Sequence, residues 1–584
     1  MSECDEREKD ERTAVNRRRF LGYFAAAGLG GTLLPGALLA VAQEASEIKP
    51  DMVAAAAKIA GVLLTPEAEK SIAEGLNRRG GLLQNFQALR DMNLGNDTPS
   101  ALVFNPVLPG TKLPAGESSL KTSKVKVTKP RADEDLAFLP VTQLAALLKK
   151  REIKSVDLTR TCLERLKKYD PVLHCVVTLT EDLALEQAAR ADKEIALGQY
   201  RGPLHGIPWG AKDLLAVKGY KTTFGASPYK DQTIDRNATV YERLTEAGAV
   251  LVAKLTLGAL AMGDRWFGGQ TKSPWDPANP DQGSSGSSAG PAAAVVAGLV
   301  PFAIGSETRG SIISPSSRCG ATGLRPSFGR VSRYGAMALS WTMDKIGPLG
   351  RTAEDCAVVL HAIQGPDGRD NSVVDVPFAW NTGRDVRKLR VGYLKSDVDN
   401  AVPDDPKNPD RVRRMREAQA FDKASLEVIR SLGVKPVPVE LPKMGSGPMD
   451  FLLTTEAAAA FDDLVRSDRL DLMSADPERS AWVGSFRQLE FVPAVQYIQA
   501  NRARYRLMEA YHEFFKDLDV LIGSALGPAN LTGHPEVAFP HGFDSKGQPA
   551  VLRLTGRLFG EADILLLAHA FQQKTDFHLR RPQP

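Results

Sequence analysis

Residues 286–320 read GSSAGPAAAVVAGLVPFAIGSETRGSIISPSSRCG. The opening is a Gly/Ser turn around Ser287 and Ser288. Residues 291–299 are small and apolar and predict the first turns of a buried helix. Residues 301–304 predict a short buried strand. A second small, polar turn follows over 305–311, with Gly310 directly before Ser311. Small residues flanking a serine let backbone approach a ligand closely and leave N–H groups free to point at it. One Gly/Ser cluster alone reads as a linker. Two clusters separated by AAAVVAGLVPFAI do not, because a linker has no use for a buried helix and strand.

On both sides of this stretch the apolar pattern alternates between helix and strand. Ser155 is placed to cap a helix bearing Val156, Leu158, Cys162 and Leu166. Residues 173–179 predict a strand, and 181–197 a helix stopped by Gly198. Strands are expected at 207–211 and 249–254, with a helix at 240–247 between them. Thr352-x-x-Asp355 is a capping pattern for a helix over 352–364. Residues 365–388 read as a surface loop and 389–393 as a strand. Helical patterns at 411–432 and 451–467 make 400–515 a helical excursion over one end of the sheet. Strands return at 518–522 and 550–554, and 561–573 is a closing helix. This alternation predicts an α/β fold, a sheet covered on both faces by helices, over residues 135–584.

The second element that carries chemistry lies upstream, in Gly206-Ile207-Pro208-Trp209-Gly210-Ala211-Lys212-Asp213. A lysine after an apolar strand is well placed for burial, and only a desolvated lysine is a base at neutral pH. Asp213 offers it an ion pair instead. Together with the two serine clusters, 24 positions apart from Ser287 to Ser311, this Gly-x-Pro-x-x-x-Lys-Asp segment resembles the amidase signature family of serine hydrolases. The resemblance covers residues from about 135 to the C-terminus. It implies an α/β/α sandwich around a large twisted mixed sheet. It also implies a Ser-Ser-Lys relay with Ser311 as nucleophile, Ser287 as bridge and Lys212 as base. The backbone N–H groups of Thr308, Arg309, Gly310 and Ser311 would form the oxyanion hole. The substrate would be a small linear amide, and no cofactor or metal is needed. The sequence departs from the family pattern at Glu307, where the family usually has Asp, and at Arg309, where it usually has Gly. The first loop reads GSSAG rather than GGSSGG.

Three other readings compete. Residues 286–290 also satisfy G-x-S-x-G, with Ser288 as nucleophile and His534, His541 or His569 as partner, but that elbow needs a strand before it, and 276–285 reads as a loop. Within the family, the chain could be the glutaminase subunit of a tRNA-dependent amidotransferase. On the same scaffold it could be a non-catalytic exported binding protein, although retention of Lys212, Ser287 and Ser311 argues for chemistry.

The chain has 584 residues, 43% hydrophobic and 25% charged, with a formal net charge of +4. These are globular values, and no basic stripe with interleaved aromatics points to nucleic acid. Residues 1–42 read as a twin-arginine leader, with Asn16-Arg17-Arg18-Arg19-Phe20-Leu21, a Gly/Ala/Leu-rich segment and Ala40-Val41-Ala42 as a cleavage site. The expectation is export by the twin-arginine machinery to the periplasm, or membrane anchoring if the leader is kept. Cys4 would leave with it. Cys162, Cys175, Cys319 and Cys356 have no metal-ligand spacing; export would allow disulfides among them, and apolar neighbours favour buried free thiols for most of them. Residues 43–134 form a pre-segment. It holds a helix starting at Thr65-Pro66-Glu67, with Ile72 and Leu76 on one face, and an extended arm at 99–131. The oligomeric state stays open, a homo-oligomer included.

Overall fold

The computed structural model describes residues 48–584 except 79–81, 93, 281, 468 and 474–480. The leader expected at 1–42 lies outside the described residues. The chain divides into two units. The first comprises the described residues up to Gly95 together with Arg487–Tyr497, and the second holds Asn96–Phe486 and Ile498–Pro584. In the first unit, helices Pro50–Ala60 and Pro66–Asn77 pack through Met52, Val53 and Ala73. Thr65 caps the second of these helices by accepting from Ala68 N. Asn77 closes the pair, accepting from Ile48 N and donating to Ile48 O.

The second unit is built on an eleven-stranded mixed sheet among the described residues. Its strands are β1 (Val176–Leu179), β2 (Pro208–Lys212), β3 (Val250–Leu255), β4 (Phe302–Glu307), β5 (Thr322–Arg325), β6 (Lys345–Gly350), β7 (Val391–Leu394), β8 (Val437–Val439), β9 (Val520–Ile522), β10 (Glu536–Phe543) and β11 (Pro549–Gly556). The spatial order is β8-β7-β9-β11-β10-β5-β6-β4-β2-β3-β1. Strands β4, β2 and β3 run parallel, with Ala211 beside Ile304 and Lys254. Their carboxyl ends therefore open on one edge, where open α/β sheets place ligands. Helices α1 (Ser155–Leu173), α2 (Glu181–Ala196) and α3 (Ala289–Val296) pack around a core that includes Leu163, Leu166, Val252, Leu255, Val295 and Leu299. Each such side chain contributes about 1.5–3 kcal/mol by leaving water. Helix α4 (Ile313–Cys319) follows the second serine turn. Cys162, Cys175, Cys319 and Cys356 are buried free thiols. Among the described residues no helix is long and apolar enough to cross a membrane.

Local details differ from the sequence reading. Ser155 is the first residue of α1 and not its cap; its hydroxyl donates to Gly206 O, while Asp192 accepts from Ser155 N and Val156 N. The segment 400–515 is not wholly helical, because β8 pairs with β7 at the sheet edge. Within the expected loop at 365–388, Ala379–Asn381 pairs in parallel with Ser119–Lys121 of the arm. The capping box at Thr352 and Asp355 forms as the pattern predicts.

Candidate active site

Lys212 ends β2, every residue of which is buried. Its Nζ lies 2.8 Å from Ser287 Oγ, 3.1 Å from Ser288 Oγ, 2.9 Å from Ser306 Oγ and 3.3 Å from Ser306 O. The side chain is fully buried. Loss of water pulls its pKa down from 10.5 to about 7, and the carboxylates of Asp344 and Glu307 only partly oppose this. Asp213 is not its partner. That carboxylate pairs with Lys254 at 2.7 Å, both side chains buried, and accepts from Thr223 N. The neighbouring acid is thus neutralised elsewhere, which leaves Lys212 among serine oxygens.

A proton inventory separates the three serines. Ser288 Oγ donates to Ser306 O at 3.0 Å and accepts from Ser306 N at 3.2 Å. With its only proton so placed, Ser288 can act toward Lys212 only as an acceptor. A neutral lysine has two N–H groups and one lone pair. Ser288 takes one N–H and Ser306 the other, so the lone pair is left for the Ser287 hydroxyl. Gly305 permits this arrangement, because a Cβ there would meet Ser288 Oγ at 2.7 Å. The elbow reading of Ser288 is thereby replaced. No strand occupies the described residues of 276–285, His534 bonds to Thr532, His541 to Ser425, and His569 faces Ser123.

Ser311 lies on the turn between β4 and α4. The Ser288 N–H donates to Ser311 O at 2.9 Å, so the two serine turns are stitched together by backbone. Gly310 has φ +91°, a left-handed conformation that suits glycine. The N–H groups of Thr308, Arg309, Gly310 and Ser311 have no acceptor among the described residues. Consecutive free amides on the turn that carries a serine are what a developing oxyanion needs. Thr308 is also held by its side chain, with Oγ1 donating to Asp344 Oδ1 at 2.6 Å. Glu307 braces the turn from below. It accepts from Ile312 N, Ile313 N, Asn530 Nδ2 and the buried Arg325. Burial raises its pKa, but Arg325 and Lys345 outweigh that and hold it near 2. A glutamate is thus accommodated where the family usually has aspartate.

The amidase family profile matches residues 157–527. The chain belongs to the amidase signature family. A glutamyl-tRNA(Gln) amidotransferase subunit of Methylococcus capsulatus is 33% identical over 492 residues, covering 76% of this chain and 98% of that protein. The native peptide amidase of Stenotrophomonas maltophilia aligns with a TM-score of 0.63 at 28% identity, over 76% of this chain and 98% of that one. A bacterial aryl acylamidase of the amidase signature enzymes shares the fold, with a TM-score of 0.65 at 22% identity over 76% of this chain and 99% of that one. The protein is accordingly an enzyme of the amidase class, acting on carbon–nitrogen bonds.

In this amidase signature site Arg309 turns outward. Its Nη2 meets Asp450 Oδ2 at 2.9 Å, and both side chains are more than a third exposed. Asp450 belongs to the segment 400–515, so the partner is a carboxylate of the excursion and not Glu307. A half-exposed pair of this kind contributes about 0–1 kcal/mol. Arg309→Ala is therefore expected to lower kcat/KM for matched acidic and neutral amides by the same factor, and stability by less than about 1 kcal/mol. A selective loss on the acidic amide, measured side by side, would instead make Arg309 a substrate contact. Sequence reasoning did not find Ser306, Asp344 or Lys345. Ser306 is a polar residue near the end of an apolar strand, while Asp344 and Lys345 stand at the start of one.

Proposed function

We propose that this chain is an exported amidase that hydrolyses a linear carboxylic amide to an acid and an amine or ammonia. The observation that carries the proposal is Lys212, buried, with its pKa lowered to about 7 and its Nζ 2.8 Å from Ser287 Oγ. Neutral Lys212 takes the Ser287 proton as Ser287 takes that of Ser311. Ser311 Oγ then bonds to the amide carbon, whose oxygen becomes an oxyanion facing the amides of Thr308, Arg309, Gly310 and Ser311. As the intermediate collapses the C–N bond breaks, and the nitrogen leaves with a proton from Ser287, which Lys212 replenishes. Water attacks the Ser311 ester by the same relay and releases the acid. Each oxyanion donor is worth roughly 3–4 kcal/mol in such a step.

A second reading, the glutaminase component of an amidotransferase, is favoured by the 33% identity to the Methylococcus capsulatus glutamyl-tRNA(Gln) amidotransferase protein. The isolated mature chain separates the two. As an amidase it reacts with a fluorophosphonate probe at Ser311 and hydrolyses at least one member of a panel of aliphatic, aryl and C-terminal peptide amides unaided. Hydrolysis confined to glutamine and dependent on added amidotransferase components would favour the second reading.

Export is part of the proposal and rests on residues 16–42. Replacing Arg17 and Arg18 with Lys is expected to leave unprocessed protein in the cytoplasm. Mature protein should begin near Gln43. N-terminal sequencing of exported material that still contained Phe20 would contradict cleavage.

A further inference from the structure

Lys345 is a buried lysine that the relay does not use. It opens β6, where it stands opposite Glu307 of β4 in the antiparallel ladder. Only 3% of it is exposed. Its Nζ donates to the carbonyl of Thr308 at 3.3 Å, its one hydrogen bond among the described residues. That peptide group is shared, because the Thr308 carbonyl and the Arg309 N–H lie at opposite ends of one planar trans unit. Drawing electron density toward the carbonyl oxygen strengthens the N–H on the other side. Asp344, the residue before Lys345, holds the Thr308 hydroxyl at 2.6 Å and is itself fixed by Leu339 N and Ser340 N. Two consecutive residues therefore grip the first residue of the oxyanion turn at its carbonyl and its side chain.

We infer that Lys345 is a positioning residue for the oxyanion hole: its Nζ, donating to the Thr308 carbonyl, aligns and polarises the peptide whose Arg309 N–H receives the developing negative charge. This rests on the reading of Ser311 as nucleophile. The charges that face Lys345 are Glu307 across the ladder, Asp344 beside it, Arg325 from β5 and Arg504 from helix Ala494–Phe514, with Arg333 lining the same small cavity. Glu307 is already engaged by Arg325 and Asn530. Burial, helped by Arg325, lowers the Lys345 pKa well below the usual lysine range. An amine that has given up its extra proton still carries N–H groups, so the contact to the Thr308 carbonyl persists through that titration.

The test is the rate at which a fluorophosphonate labels Ser311 in the mature full-length chain, followed against pH and probe concentration. Lys345→Met is expected to slow maximal labelling by about tenfold to a hundredfold, with the half-saturating probe concentration little changed. Lys345→Gln, which keeps a neutral donor at the same place, should recover part of the rate. Equal rates and pH profiles for wild type and Lys345→Met overturn the inference alone, as does a Met variant whose folded fraction reacts at the wild-type rate. A wild type left unlabelled at Ser311 overturns the underlying reading and this inference with it.

Discussion

Ser311→Ala is expected to abolish acylation, while Ser288→Ala keeps much of it. Removing the attacking atom leaves only substrate binding and the oxyanion donors, and comparable serine hydrolases lose on the order of a millionfold in kcat. Ser288 has a different task. Its hydroxyl bridges Ser306 N and Ser306 O and accepts from Lys212. Without it Ser306 N loses this acceptor while Ser306 O keeps Lys212 Nζ, at about 1–3 kcal/mol of stability. Lys212 keeps Ser287 and Ser306 as neighbours, so the base stays in place and the rate should fall by roughly tenfold at most. Turnover and fluorophosphonate labelling of both variants, corrected for folded fraction, decide the matter. A dead Ser288→Ala beside an active Ser311→Ala would make Ser288 the nucleophile, and the proposed relay would fail.

What the sequence revealed of this site depended on local signal. The two serine turns were legible because each is a run of small residues, and the helix between them because eight consecutive positions are apolar or small; all eight are buried. Lys212 was legible from the strand it ends. The strands β5, β6 and β10 were not foreseen. β10 holds a proline and a buried Glu536, which binds Arg325 and Ser524, and such internal polar partners break the apolar pattern. β8 has three residues, two of them exposed, too few for any periodicity. Asp344 and Lys345 act through tertiary contacts to Thr308, and Arg309 meets Asp450 across 141 positions. No spacing rule connects residues so far apart.

Lys212→Ala is expected to lose orders of magnitude in acylation and, with it, a pH dependence of stability that the native chain carries. In the folded chain the lysine titrates near 7, in the unfolded chain near 10.5. Between these values the unfolded state holds a proton that the folded state lacks, so stability rises with pH across that window. Below about 7 both states are protonated, and the folded state bears the whole cost of burying the ammonium. The separation corresponds to a difference on the order of 5 kcal/mol, at about 1.4 kcal/mol per pH unit. Activity follows the same proton with the same sign. The relay needs neutral Lys212, so the native acylation rate should climb with pH and level off above about 7. Alanine cannot titrate. Denaturant unfolding of Lys212→Ala between pH 7 and 10 should therefore show a shallower rise than the native chain, while its residual acylation loses the step near 7. A lysine that only supported the fold would give another result, a lower melting temperature with native rates on the folded fraction. An acylation rate flat across neutral pH in the native chain would remove Lys212 from the relay.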